Sequence, residues 1–83
     1  MEHEEIKQIV RETLTEILEL EEDEVGDEAH IADDLGGDSI RKLELIVALE
    51  KRFDIHYAPE EAAGMDSVES IIQATRNHVR SRT

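Results

Sequence analysis

Apolar side chains fall at three- and four-residue spacing over three stretches of this chain, and the intervals between them lose that period. Ile6, Ile9, Val10, Leu14, Ile17 and Leu18 mark the first stretch and predict an amphipathic helix from about Glu4 to Leu20. Ile40, Leu43, Leu45, Ile46, Val47, Leu49 and Phe53 mark the second, over Ser39 to Phe53. Val68, Ile71, Ile72, Thr75 and Val79 give the buried face of the third, from about Val68 to Val79, with Asp66 or Ser67 as its cap and Glu69 at capping-box spacing from Asp66. Pro59 to Gly64 reads as one further helical turn, with proline early and glycine at the exit. No strand-like alternation persists and no internal repeat is present. The pattern predicts an all-α fold, a small helical bundle of three main helices plus one short helix, with a long loop from Glu22 to Asp38 between the first two. Residues 1–83 form a single domain in this reading.

The second helix is apolar around well over half of its circumference. Leu45, Leu49, Phe53 and Ile46 cluster on one side and suit the core. Ile40, Leu43 and Val47 form a flank running up to Ser39, bordered by Glu44 and Lys51. Two readings of that flank stand: an exposed strip that meets a partner, or a surface packed under the long loop. Val25, Ile31 and Leu35 are the loop's own apolar residues and are expected to pin it across the helices.

Charge changes the picture more than size does. The chain carries 22 acidic side chains against nine Lys and Arg, a formal net charge of −13. Nucleic acid is excluded as a partner, because binding a phosphate backbone relies on displacing counterions with Lys and Arg. The charge is uneven. Ten carboxylates and no Lys or Arg lie between Glu19 and Asp38, whereas Arg41, Lys42, Lys51 and Arg52 follow within the second helix. Glu19, Glu21 and Glu22 crowd the end of the first helix, where negative charge opposes the dipole, so that helix should fray or stop near Glu21. The absence of cysteine removes disulfide and thiolate-metal chemistry. The acidic N-terminus resembles neither a signal peptide nor a membrane span. A soluble, cytoplasmic monomer with no membrane partner is the expectation.

The most informative stretch is Asp33-Asp34-Leu35-Gly36-Gly37-Asp38-Ser39-Ile40. Gly36 and Gly37 open backbone conformations closed to other residues, and Asp38 is a favoured N-cap. The second helix would then begin at Ser39. The unpaired N–H groups and the positive dipole end of its first turn would favour a phosphate on the serine oxygen. The aspartates do not make a calcium loop: counted from Asp33, the required glycine falls on Asp38 and ligand positions fall on Leu35 and Arg41.

Catalysis by the chain's own residues is not indicated. Gly37-Asp38-Ser39-Ile40-Arg41 is not the G-x-S-x-G elbow, and there is no Walker-type loop. His3, His30, His56 and His78 lack zinc-ligand spacing and read as surface or boundary residues. No metal site is expected.

Asp34-Leu35-Gly36-Gly37-Asp38-Ser39-Ile40, followed by Glu44-Leu45-Ile46-Val47-Ala48-Leu49-Glu50 and Phe53-Asp54-Ile55, closely resembles the acyl carrier protein family. The resemblance spans nearly the whole chain, with length, helix order, acidic balance and Pro59 in agreement. It implies a carrier without catalytic activity, with Ser39 as the attachment point of 4′-phosphopantetheine. A phosphopantetheinyl transferase would transfer the group from coenzyme A, and acyl intermediates would then ride as thioesters on its terminal thiol. The same resemblance implies docking through Asp38, Ile40, Leu43, Glu44 and Val47, with Arg41 and Lys51 beside them. It also implies an acyl pocket near Ile46, Leu49, Tyr57, Ala62 and Met65, residues that are otherwise ordinary core candidates. The partners it implies are an acyl-activating ligase or acyltransferase and ketosynthase or condensation enzymes.

Two departures qualify the resemblance. Fatty-acid carriers usually have an acidic second helix and commonly Gly-Ala before Asp-Ser. Here the helix carries Arg41, Lys42, Lys51 and Arg52, and Gly36-Gly37 looks more like peptidyl carrier domains of nonribosomal peptide synthesis. The preferred expectation is a discrete carrier of specialised metabolism, such as polyketide or lipopeptide assembly. The alternatives are a peptidyl carrier, a fatty-acid synthesis carrier and, from another class, an unmodified acidic helical adaptor that binds a protein through Ile40, Leu43 and Val47.

Overall fold

Helix α1 runs His3–Leu18 in the computed structural model, which describes residues 2–26, 28–31 and 39–81. Its first turn carries Glu4 and Glu5, where the dipole favours negative charge. Its end is sharper than the apolar period suggests. Glu19 adopts a left-handed conformation, φ 56° and ψ 49°, and the Leu20 N–H returns to the Thr15 carbonyl at 3.0 Å. Leu20 therefore packs partly buried against the core from outside the helix.

Three further helices follow: α2 over Ser39–Phe53, α3 over Pro59–Ala63 and α4 over Val68–Ser81. The bounds of α2 are those its apolar residues predict. A 3-10 turn at Glu22–Glu24 interrupts the long loop, closed where the Glu21 N–H donates to Glu24 Oε1 at 2.9 Å. No β-strand occurs among the described residues; an isolated antiparallel bridge pairs His30 with Ser67. Among those residues no helix is long and apolar enough to cross a membrane.

The cap of α4 is Ser67, one of the two expected candidates, and its box is made with Ser70 in place of the Asp66–Glu69 pair. Ser70 N–H donates to Ser67 Oγ at 3.2 Å, and Ser67 N–H donates to Ser70 Oγ at 3.0 Å. The second serine takes the place usually held by Glu or Gln. Asp66 is thereby left to accept from Lys42 Nζ at 2.9 Å.

The core joins α1, α2 and α4 with the connecting segments. Ile6, Val10 and Leu14 meet Leu45, Leu49 and Phe53 of α2 and Val68, Ile71, Ile72 and Val79 of α4, with Tyr57 and Met65 closing it. Val25 and Ile31 are buried as expected. Arg11 Nη2 donates to the Val25 carbonyl at 2.6 Å. At the other end of the segment, the Ile31 N–H reaches Asp66 O at 2.7 Å and the Val68 N–H reaches Ala29 O at 3.0 Å. The loop is thus fastened to α1 near its start and to the entry of α4 near Ile31. Leu35 lies outside the described residues.

Candidate functional site

Ser39 is the first residue of α2 and is exposed. Leu45, Leu49 and Phe53 hold the helix beneath it, so the serine stands on a packed rod. The first-turn N–H groups have no acceptor within the helix, and that turn contains no acidic residue. A phosphate ester on Ser39 Oγ would meet donors and the positive end of the dipole, without a carboxylate of that turn to repel it. The residues described there fit a phosphate-linked group. Gly36, Gly37 and Asp38 lie outside the described residues, and so does the expected Asp38 cap.

Four of the six charged side chains on α2 are engaged within the molecule. Arg41 Nη1 donates to the Ile17 carbonyl at 2.6 Å, where α1 ends, and Lys42 pairs with Asp66. Arg52 pairs with Glu16 at 2.5 Å and donates to the buried hydroxyl of Thr13 at 3.0 Å. Glu50 accepts the Tyr57 N–H at 2.9 Å and lies 3.0 Å from His56 Nδ1. The basic residues that set this helix apart in sequence therefore bind it mainly to α1 and to the entry of α4. Thr13, a polar residue with no exposure, fits the core face of α1 because its hydroxyl donates to the Ile9 carbonyl at 2.7 Å and accepts from Arg52.

The flank beside Ser39 is exposed: Ile40 at 68%, Leu43 at 62% and Val47 at 40%. It does not pack away as a second core face. Leu43, Glu44, Val47, Ala48 and Lys51 line a shallow, mainly apolar groove of about 440 Å³.

Of the residues named for an acyl pocket, Leu49, Tyr57 and Met65 are buried and Ile46 and Ala62 are half-buried. Tyr57 is held on both sides. Thr75 donates to the Ile71 carbonyl, which leaves the Tyr57 hydroxyl to donate to Thr75 Oγ1 at 2.5 Å. The His78 ring meets Tyr57 edge-on, 5.4 Å between centroids. Burial pushes the Tyr57 phenol up to about 12. Glu61 of α3 accepts the Ala58 N–H and lies 2.9 Å from His78 Nε2. Those two contacts, the Ala58 bond first, hold its carboxyl below the usual range. No local spacing rule signals this link between α3 and α4, because the partners come from separate helices.

Comparison with known proteins agrees with this geometry. Residues 8–75 match the family model described as "Phosphopantetheine attachment site". A Mycobacterium tuberculosis protein assigned as an acyl carrier protein superposes with a TM-score of 0.82 at 25% identity, over 87% of this chain and 96% of the other. The acyl carrier protein from Enterococcus faecalis superposes with a TM-score of 0.79 at 29% identity, over 94% of this chain and 99% of that one.

Proposed function

This chain belongs to the phosphopantetheine-binding acyl carrier protein family, and we propose that its prosthetic arm is ester-linked to Ser39 and that Ile40, Leu43, Glu44, Val47 and Lys51 form the docking face beside it. Members of the family carry covalent 4′-phosphopantetheine and have no catalytic activity of their own. The observation that carries the reading is the exposed Ser39 at the start of α2, inside the matched segment. When bound, the arm supplies a terminal thiol that holds acyl groups as thioesters. Ser39 offers the oxygen for its phosphodiester, and the α2 N-terminus stabilises the negative charge next to that oxygen. Tethering raises the cargo's effective concentration at each partner's active site, which is the carrier's whole contribution to rate.

Acyl carrier proteins work with transferases and synthase enzymes. For this chain we assign a phosphopantetheinyl transferase, an acyl-activating ligase or acyltransferase, and ketosynthase or condensation enzymes as partners. Asp38, by the family resemblance alone, and Arg41 are further docking candidates, and Ile46, Leu49, Tyr57, Ala62 and Met65 are the candidates to part around a cargo. The pathway we favour is specialised metabolism, polyketide or lipopeptide assembly, because basic residues on α2 set the chain apart from fatty-acid carriers. Gly36-Gly37 supports a peptidyl carrier as the second reading. Loading assays with acyl-activating and aminoacyl-activating enzymes separate the two. Ser39→Ala abolishes loading in either case; an unmodified adaptor would bind its partner equally well with that substitution.

A further inference from the structure

The docking face that we assign to α2 has an unusual charge distribution for so acidic a chain. Its helix holds six charged residues, and Arg41, Lys42, Glu50 and Arg52 are bound to other parts of the molecule. Glu44 and Lys51 remain, both exposed and both lining the apolar groove. Among the described residues, the lining of this groove therefore carries one charge of each sign, although the chain as a whole is at −13.

The exposed side of α2 presents side chains in rows on which a second helix can pack. Ile40, Glu44 and Ala48 form one row at four-residue spacing, and Leu43, Val47 and Lys51 form the next. Rows of this kind accept the ridge of a facing helix. Glu44 and Lys51 are seven residues apart, so they lie on one face about 10 Å from each other along the axis.

We propose that this surface selects a partner helix of dipolar character, with an apolar ridge that fills the space between Leu43 and Val47, a basic residue opposite Glu44 and an acidic residue opposite Lys51. The inference rests on the docking role given to α2 above and specifies what docks there. The field of the whole chain draws basic surfaces from a distance, but contact at this face rewards a matched pair of opposite charges. A wholly basic partner helix would place a cation against Lys51, where like charges are penalised.

Two helical peptides test this, identical in their apolar ridge and both without net charge. One has Lys and Glu spaced to face Glu44 and Lys51, and the other has Gln at both positions. Because neither has net charge, attraction by the chain's overall field cancels between them. Binding to the full chain is measured by fluorescence anisotropy. The Lys/Glu peptide should bind about threefold to tenfold tighter, the range expected of two exposed ion pairs. That advantage should disappear in the carrier with Glu44→Gln and Lys51→Gln together, and Leu43→Ala should weaken both peptides. Equal binding of the two peptides to the unaltered chain, an advantage that survives the double substitution, or no binding of either at millimolar concentration would each overturn the proposal.

Ser39→Ala is measured alongside. Loss of the peptide preference with Ser39 still modifiable sinks this inference alone. Preserved preference in an unaltered chain that takes up no phosphopantetheinyl group sinks the carrier reading instead, with Ser39→Ala as the unmodified control.

Discussion

The guanidinium of Arg41, in the first turn of α2, donates to the backbone carbonyl of Ile17, 2.6 Å away at the end of α1. The last carbonyls of a helix have no partner within it, and α1 has no basic residue in its last turn. Arg41 supplies from the neighbouring helix both the donor and the positive charge that this end lacks. It also fixes the end of α2 on which Ser39 stands. Arg41→Gln should cost on the order of 1–2 kcal/mol, the lower part of the range for charge-assisted bonds because the site is half-buried. Denaturant unfolding measures it. Stability unchanged in Arg41→Gln would show that the contact contributes little.

Glu19 is unfavourable on two counts. Its backbone is left-handed at φ 56°, which side chains disfavour, and its carboxylate sits at the negative end of the α1 dipole. Glu19→Gly removes both penalties at the position where helices commonly take glycine. We expect a gain of about 1 kcal/mol and a higher Tm. A lower Tm would mean that the Glu19 side chain makes a compensating contribution in the folded state.

Tyr57 is the chain's single tyrosine, so its ionisation can be followed without overlap. The folded phenol is pushed up from 10.0 to about 12 by burial. A raised value means that the folded state holds the proton more tightly than the unfolded state. This contribution to stability is complete below pH 10 and is lost as pH rises toward 12. The tyrosinate absorbance of the native protein should appear late and coincide with alkaline unfolding. Tyr57→Phe should flatten that limb and cost about 1 kcal/mol through loss of the bond to Thr75. Ionisation at the ordinary value in a folded chain would contradict the burial of the ring.

Glu61 governs the opposite limb. Its folded carboxyl lies below the ordinary carboxylate range because the Ala58 N–H, and then His78, bond to the charged form. Stabilisation from this group is therefore present above the unfolded value and is lost as pH falls through the folded one. Glu61→Gln should leave the acid limb of the stability profile shallower, with α3 less firmly held to α4. Native-state hydrogen exchange at α3 provides the local readout. An acid limb that is the same in both proteins would remove Glu61 from the explanation.

The sequence made α2 legible to the residue because its apolar positions run without interruption from Ile40 to Phe53. It was less informative where side chains decide. The period of α1 continues to Leu20, but a left-handed residue at Glu19 ends the helix and still lets Leu20 reach the core. The capping box of α4 was displaced by one residue because serine fills a place usually taken by Glu. Arg41, Lys42 and Arg52 illustrate the deeper difficulty. Long cationic side chains extend several ångströms from the helix axis, and their spacing cannot tell a partner surface from Ile17, Asp66 or Glu16 of the same chain. Ser39 and the exposure of Ile40, Leu43 and Val47 were within reach, since one follows from a motif and the other from an excess of apolar positions around one helix.

The central claim, that Ser39 carries the arm, is tested most directly by intact-protein mass. The unmodified chain and Ser39→Ala are each incubated with coenzyme A, magnesium and a broad-specificity phosphopantetheinyl transferase. The account predicts a gain of one phosphopantetheinyl group by the unaltered chain and none by the variant, with both equally folded by circular dichroism. No gain by the folded unaltered chain, or an equal gain by Ser39→Ala, would contradict it.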